Sequence, residues 1–390
     1  EVLGKRPEKI KVLLSANILK NAMGVGIPGT GMVGLPIAIA LGALVGKSEY
    51  GLEVLKDSNT AYVEEGKKYI AEKRIDIALK DTEEKLYIEV HCTASDDQAI
   101  AVISGTHTNF SYIYHNGETL LNKEYSACGE KPEQEEPALT FAKVYEFATT
   151  VPIDKISFIL EAARLNRIAS ELSRQGYYGH SVAKTVTGTL GKRIMGDSMF
   201  THMLSYTAAA CDARMDGAMI PVMSNSGSGN QGITATLPVL SYAEDVKSSE
   251  NDLIRALVLS HLTVVYIKTK LGRLSALCGC VAAATGASCG ITHLMGGDYN
   301  QITFAVKNMI GNITGMICDG AKPSCALKIS SGVSTAVLSA IMAMEHKVVS
   351  SMEGIVDDDV DKTIENLTSI GAVGMRETDK MVLQIMTNKE

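Results

Sequence analysis

A chain of 390 residues is too long for one ordinary core, so two domains are expected. Its 44 acidic residues outnumber 37 basic ones, giving a net charge of −7, and no basic run is interleaved with aromatics, which excludes a general nucleic-acid or anionic-membrane surface. Tryptophan is absent and aromatics are only 5%, so the core has to be built from Ala, Leu, Ile, Val and Met, a mixture suited to close helix packing.

The start, residues 1–7, is not a signal peptide, because no apolar stretch follows its basic residues. It lacks an initiator methionine, so residues preceding Glu1 are expected. Residues 9–18 alternate as a strand through Ile10, Val12 and Leu14. A glycine-dense loop follows at 24–31, then an apolar helix over 32–45. That run is the length of a buried core helix and short of the roughly 18–20 residues that span a bilayer. Strand, glycine loop and helix N-terminus together are able to hold an anion. The loop is neither GxGxxG nor a Walker sequence, and a plain tight turn into the helix explains it better.

Residues 59–74 read as an exposed helix, followed by strand-like runs at 75–79, 85–92, 99–105 and 110–115, a small unit of antiparallel character. Residues 130–136 form an acidic, proline-bearing linker. Beyond 139 the spacing is helical almost to the end, over 140–149, 153–175, 179–192, 197–213, 253–270, 331–349, 359–371 and 377–387. The expected fold class is therefore α+β: a predominantly helical catalytic domain over 136–390, a separate small α+β domain over 51–135, and residues 1–50 packed on the helical domain.

Two phrases break the helical texture. Residues 221–232 run Pro-Val-Met-Ser-Asn-Ser-Gly-Ser-Gly-Asn-Gln-Gly between apolar neighbours, too polar for core and too amide-rich for a linker. Ser224, Asn225, Ser226, Ser228, Asn230 and Gln231 offer donors suited to a carboxylate or oxyanion. Residues 277–328 hold five of the eight cysteines, Cys278, Cys280, Cys289, Cys318 and Cys325. Soft thiolates in a chain without secretory signals point to metal chemistry before disulfides. Free cysteines are also common small core residues, the reading given to Cys289. The spacing has no CxxC pair and matches no zinc module.

The phrases at 17–21, 26–31, 224–232 and 317–328 resemble those of the L-cysteine desulfidase family, which is related to the alpha chain of iron–sulfur L-serine dehydratases. The resemblance covers nearly the whole chain. It implies a cytoplasmic 4Fe–4S enzyme with three cysteine ligands, eliminating hydrogen sulfide from L-cysteine or water from L-serine. Cys318 matches one ligand, and Cys280, or alternatively Cys278, a second. The third family ligand lies in a Gly-Cys-Thr-Glu-Pro phrase that this sequence does not contain. Either a segment before Glu1 carries it, or the ligand has been lost, or Cys325 replaces it. The Ser224–Gly232 phrase, with Thr30 in the glycine turn, would hold the substrate carboxylate. Lys322 and Lys20 are the nearest candidates for the base, ahead of His180 and His293. The expected partners are a small amino acid and further copies of the chain, with no nucleic acid and no membrane. A cluster-free binding protein for small carboxylates on the same scaffold is the alternative. A zinc or redox sensor using Cys278, Cys280, Cys318 and Cys325 is a third reading.

Overall fold

Period-two alternation forms the first element, β1 (Lys9–Leu14), with Ile10, Val12 and Leu14 buried. We describe here a computed structural model that covers residues 1–123, 139–272 and 274–388; the acidic linker at 130–136 lies outside the described residues. After β1 come α1 (Ala16–Ala22), β2 (Gly26–Ile27), β3 (Met32–Val33) and α2 (Leu35–Val45). Then follow α3 (Thr60–Ala71), β4 (Ile75–Leu79), β5 (Tyr87–Ala94), β6 (Asp97–Ser104), β7 (Phe110–His115) and β8 (Glu118–Asn122).

The six longer strands make one sheet in the order β4-β1-β5-β6-β7-β8, with β1 and β4 parallel and the other pairs antiparallel. Ile10, Val12 and Leu14 of β1 pack with Ala40 of α2 and Tyr69 of α3, so both helices lie over one face. Residues 1–50, expected on the helical domain, are therefore divided. The alternation of β1 and the apolar surface of α2 are used in the small unit's core. Only the segment between them follows the helical layer, where the Gly29 amide donates to the Gly217 carbonyl at 2.9 Å. The helix expected from residue 32 begins at Leu35, because Met32 and Val33 pair with Ile27 and Gly26 as a short hairpin.

The helical layer comprises α4 (Phe141–Thr150), α5 (Ile153–Ile156), α6 (Leu160–Gln175), α7 (Val182–Thr187), α8 (Thr189–Met195) and α9 (Met199–Met215). It continues through α10 (Gly229–Asp245), α11 (Glu250–Leu271), α12 (Gly279–Leu294), α13 (Tyr299–Ile313), α14 (Cys325–Met344), α15 (Val360–Ser369) and α16 (Arg376–Thr387). The chain is thus α+β and mainly helical, as its patterning indicates. Among the described residues α14 is the helix long and apolar enough to cross a membrane; here it packs against α9, α12 and α13.

α12 is the hub. Every residue from Cys280 to Thr292 is buried, and α10, α11, α13 and α14 surround it. Its Ala, Gly, Ser and Thr residues permit this, because a helix enclosed on all sides has no room for large side chains. The small hydroxyls are satisfied locally: Ser288 Oγ donates to the Ala336 carbonyl at 2.9 Å, and Thr292 Oγ1 to the Ser288 carbonyl at 2.7 Å. At Gly286 a Cβ would stand 2.4 Å from the Ser260 carbonyl oxygen of α11 and 2.8 Å from Val264 Cγ2. Gly286→Ala is therefore expected to lower stability by ~1–3 kcal/mol through overpacking, although alanine is the better helix former. Urea unfolding measures this, and an unchanged midpoint would mean that α11 and α12 are not in such close contact.

Candidate active site

The polar phrase at 224–232 folds into a turn and a helix start rather than an open loop. Asn225 and Ser228 exchange both backbone hydrogen bonds, at 3.1 and 3.0 Å, around Ser226 and Gly227. Both central residues have positive φ, 49° and 82°, the geometry of a type I′ turn. Ser228 then caps α10, its Oγ accepting from the Gln231 amide.

A buried polar network fixes that turn from behind. Asn166 of α6 accepts from the Met223 amide at 3.0 Å and donates to Thr236 Oγ1 at 3.1 Å. Thr236 Oγ1 donates to the Gly232 carbonyl at 2.7 Å and lies 2.9 Å from His261 Nε2. Asn225 Nδ2 donates to His261 Nδ1 and to the His261 carbonyl, both at 3.1 Å. An Nδ1 that accepts leaves the ring proton on Nε2, so His261 is a neutral bridge from Asn225 to Thr236. Burial pushes its pKa down to about 4, in keeping with these uncharged partners.

The expectation that the whole phrase presents donors to a ligand is corrected by this arrangement. The Asn225 amide is spent on His261, Ser226 Oγ donates to Asn225 Oδ1 at 2.8 Å, and Ser228 is a cap. Short hydroxyl and amide side chains readily bond their own backbone neighbourhood, and here they do. Ser224 is exposed. Asn230 Oδ1 accepts from Arg214 Nη1 at 3.0 Å. Gln231 is buried with its Oε1 unpartnered, and its side chain lies against Gly279 at the start of α12. Thr30 is likewise committed: its Oγ1 donates to the Ile27 carbonyl at 2.8 Å and accepts from the Met32 amide at 3.0 Å, closing the β2–β3 turn.

The cysteines meet beside Gln231. Leu277 and Ile317 form an antiparallel bridge; the Cys278 amide donates to the Met316 carbonyl at 2.9 Å and the Cys318 amide to the Ala276 carbonyl at 2.6 Å. This bridge joins the Cys278–Cys280 turn to the loop of Cys318, while Cys325 opens α14. Cys278, Cys280, Cys318 and Cys325 lie close enough for their charges to act on one another. Cys211 of α9, fully buried and outside both cysteine-bearing phrases, is a fifth sulfur in the same neighbourhood. Burial is the main cause that raises the Cys278, Cys280 and Cys325 thiols, Cys278 to about 12, with neighbouring sulfurs adding to it.

The donor set suits a sulfur-ligated cluster in its chemistry. In the thiol form Cys280 Sγ donates to the Lys328 carbonyl at 3.3 Å and Cys325 Sγ to the Gly320 carbonyl at 3.7 Å. So turned, no three Cys, His, Asp or Glu side chains converge as metal ligands among the described residues. Cys289 stands apart, fully buried within α12.

Lysines surround the nest. Asp319 takes Lys322 Nζ at 2.5 Å and also pairs with Lys328. Burial would raise the Asp319 carboxyl, but these two ammonium groups more than offset it and hold its pKa down to about 2. Lys322, a proposed base, is thus an ion-paired ammonium whose Nζ also donates to the Asp319 and Gly320 carbonyls. Lys20, the other, is almost completely buried and paired with Asp379 of α16, so its amine ties the N-terminal segment to the C-terminal helix.

Three residues at this end of the helical layer escape sequence reasoning. Lys268 of α11 is buried near Cys318 and Cys278, and burial pushes its pKa down to about 8. Its signal was a lysine four residues after Val264 on the buried stripe. Asp212 of α9 is fully buried, and burial raises its pKa to about 6 against the Ala183 and Val182 amides. Arg214 lies two residues on, beside Asn230. A charge inside an apolar helix is the only trace that Asp212 and Arg214 leave in the sequence.

The sequence pattern of the serine dehydratase alpha chain matches residues 49–384, and this chain belongs to that family. It is 68% identical over 390 residues to a UPF0597 protein of Bacteroides fragilis, covering 100% of this chain and 91% of that protein. A UPF0597 protein of Porphyromonas gingivalis is 58% identical over 395 residues, with the same coverage. One from Shewanella halifaxensis is 46% identical over 384 residues, covering 98% and 88%.

The neutral His261 makes stability depend on pH. Its folded pKa of about 4 lies below the ordinary value of 6.5, so the unfolded chain binds the extra proton first as pH falls. The contribution is complete above the unfolded value, is lost progressively through that window, and amounts to on the order of 3 kcal/mol. Denaturant midpoints recorded between pH 7 and 4 should fall accordingly, and His261→Gln should flatten that part of the curve. An equal slope in the variant would place the titration elsewhere.

Proposed function

We propose that this chain catalyses β-elimination on a small amino acid, converting L-cysteine to pyruvate, ammonia and hydrogen sulfide, or L-serine to pyruvate and ammonia. The observation that carries this reading is the meeting of Cys278, Cys280, Cys318 and Cys325 beside Gln231 and the 224–232 turn. A 4Fe–4S cluster bound by these thiols would supply a Lewis-acidic iron to the leaving thiol or hydroxyl. We assign Cys318 and Cys280 as anchors, with Cys278 and Cys325 as the neighbouring thiols able to complete the set.

The protein's own groups do the rest. Gln231 Oε1, buried and unpartnered, is an acceptor suited to the substrate ammonium. Lys268, whose ammonium burial makes easier to deprotonate, is the amine beside the nest able to receive the Cα proton, whereas Lys322 is held as an ammonium by Asp319. Cysteine thiols in the reduced state fit a cytoplasmic setting, and the seven cysteines of the described residues are free.

Protein reconstituted with iron and sulfide without oxygen is expected to gain broad visible absorption and to release pyruvate from L-cysteine or L-serine. Cys318→Ala should lose both properties, and Cys289→Ala should keep both, because Cys289 only packs. Lys322→Gln and Lys268→Gln identify the base as the residue whose loss stops pyruvate release while L-serine still binds. Colour without pyruvate from either amino acid would leave a carboxylate-binding scaffold and sink the lyase reading.

A further inference from the structure

Of the cations around the thiol nest, Arg214 has no acid of its own. Lys20 is held by Asp379, and Lys322 and Lys328 share Asp319. Among the described residues no aspartate or glutamate pairs with Arg214. Its Nη1 donates to Asn230 Oδ1 at 3.0 Å and lies 3.9 Å from Met215 Sδ. The same sulfur accepts from Asn230 Nδ2 at 3.3 Å, which turns the Asn230 oxygen toward the guanidinium. A guanidinium carries five N–H donors in a rigid fork and keeps its charge at every physiological pH. A neutral amide satisfies one of them. The remaining donors of this partly buried fork are open to an anion arriving from outside, for which charge-assisted bonds are strong.

The space around the fork is built for it. A Cβ on Gly229 would stand 2.4 Å from Arg214 Nε and 2.9 Å from Cζ, so the first helical residue of α10 has to be glycine for the guanidinium to lie there. Arg214 is only partly buried, which leaves a route to it. The charges that reach it most strongly are the sulfurs of Cys211 and Cys325, so the fork borders the thiol nest.

We propose that Arg214 is the carboxylate anchor of the site: its fork takes the α-carboxylate of a free amino acid and thereby excludes amines, amides and peptide-linked residues. This assignment rests on the elimination reading for the substrate class, but its test needs no turnover. It transfers to the α9 arginine the role first expected of the 224–232 turn, where Ser226 donates to Asn225 and Ser228 caps α10.

The test is calorimetric binding of L-serine and of L-serinamide to the protein without added iron. Wild type is expected to bind L-serine and to bind the amide about 10- to 100-fold more weakly, the factor that a charge-assisted hydrogen bond contributes. Arg214→Met should lose L-serine affinity by a similar factor with unchanged far-ultraviolet circular dichroism and no fall in thermal midpoint. Arg214→Lys should recover part of the affinity, because a point charge replaces the fork. If Arg214→Met does not fold, the Arg214→Lys ratio of serine to serinamide decides: an unchanged ratio overturns the anchor and a reduced one supports it. Wild type that binds neither ligand, or both equally, overturns the proposal, as does Arg214→Met with wild-type affinity for L-serine. The two readings fail separately. Arg214-dependent serine binding without pyruvate from reconstituted protein removes the lyase, whereas pyruvate release with an unchanged KM in Arg214→Met removes the anchor.

Discussion

His261 can hold the turn at 225–228 only as an uncharged ring, because each of its nitrogens faces a group that fixes its proton. Nδ1 receives the Asn225 amide, and Nε2 meets the Thr236 hydroxyl, which is itself committed to the Gly232 carbonyl. Asn166 adds the third side by holding both Thr236 and the Met223 amide. Four buried side chains on α6, α10, α11 and the turn therefore satisfy one another completely. A network of that kind is costly when broken and specific when intact. The position of α10 follows from it, and with α10 the positions of Gln231, Asn230 and the space at Gly229.

The same helix then meets α12, where packing takes over from hydrogen bonding. α12 has neither the bulk nor the charge to define a site; its contribution is closeness. Gly279 receives the Gln231 side chain, and Gly286 lets α11 approach to backbone contact. α14 comes near enough for a Cβ on Gly332 to stand 2.4 Å from Cys280 Sγ. The sulfurs are brought together by small residues at these crossings and by the Leu277–Ile317 bridge. Enlarging any of these positions separates thiols without touching one of them.

Much of this was legible in the sequence. The alternation of β1, the strand runs of the small unit and the helical texture after 139 correspond to observed elements, and the cysteine-rich phrases do lie together. Where the reading went wrong, tertiary partners outweighed local pattern. β1 covers only residues 9–14 of the strand expected over 9–18, because α1 begins at Ala16, and its neighbours β4 and β5 are named by no local signal. Ser226, Ser228 and Thr30 look like donors for a ligand because hydroxyls in glycine-rich loops often are. Their bonds close within the turn, a choice that depends on φ angles the sequence does not display. Lys20 sits in a family phrase, but its partner Asp379 is 359 residues away.

The balance of charge at the nest gives the remaining step. Asp319 pairs with two ammonium groups but cancels the charge of only one, and the thiols are neutral when protonated, so the site as folded carries excess positive charge shared among these lysines, Lys268 and Arg214. Metal binding would deprotonate the thiols and reverse that sign locally. Lys268 and Lys328 already feel the sulfurs of Cys278 and Cys318, and they would then be stabilised as cations. Arg214 feels the sulfurs of Cys211 and Cys325 instead, and its Nη1 is also held by Asn230 Oδ1. On the elimination reading, one end of the helical layer would have to support two demands that oppose each other, anionic sulfur and an anionic substrate. It would meet them with separate cations: lysines on α11, α14 and the 319–322 loop for the first, and the arginine on α9 for the second.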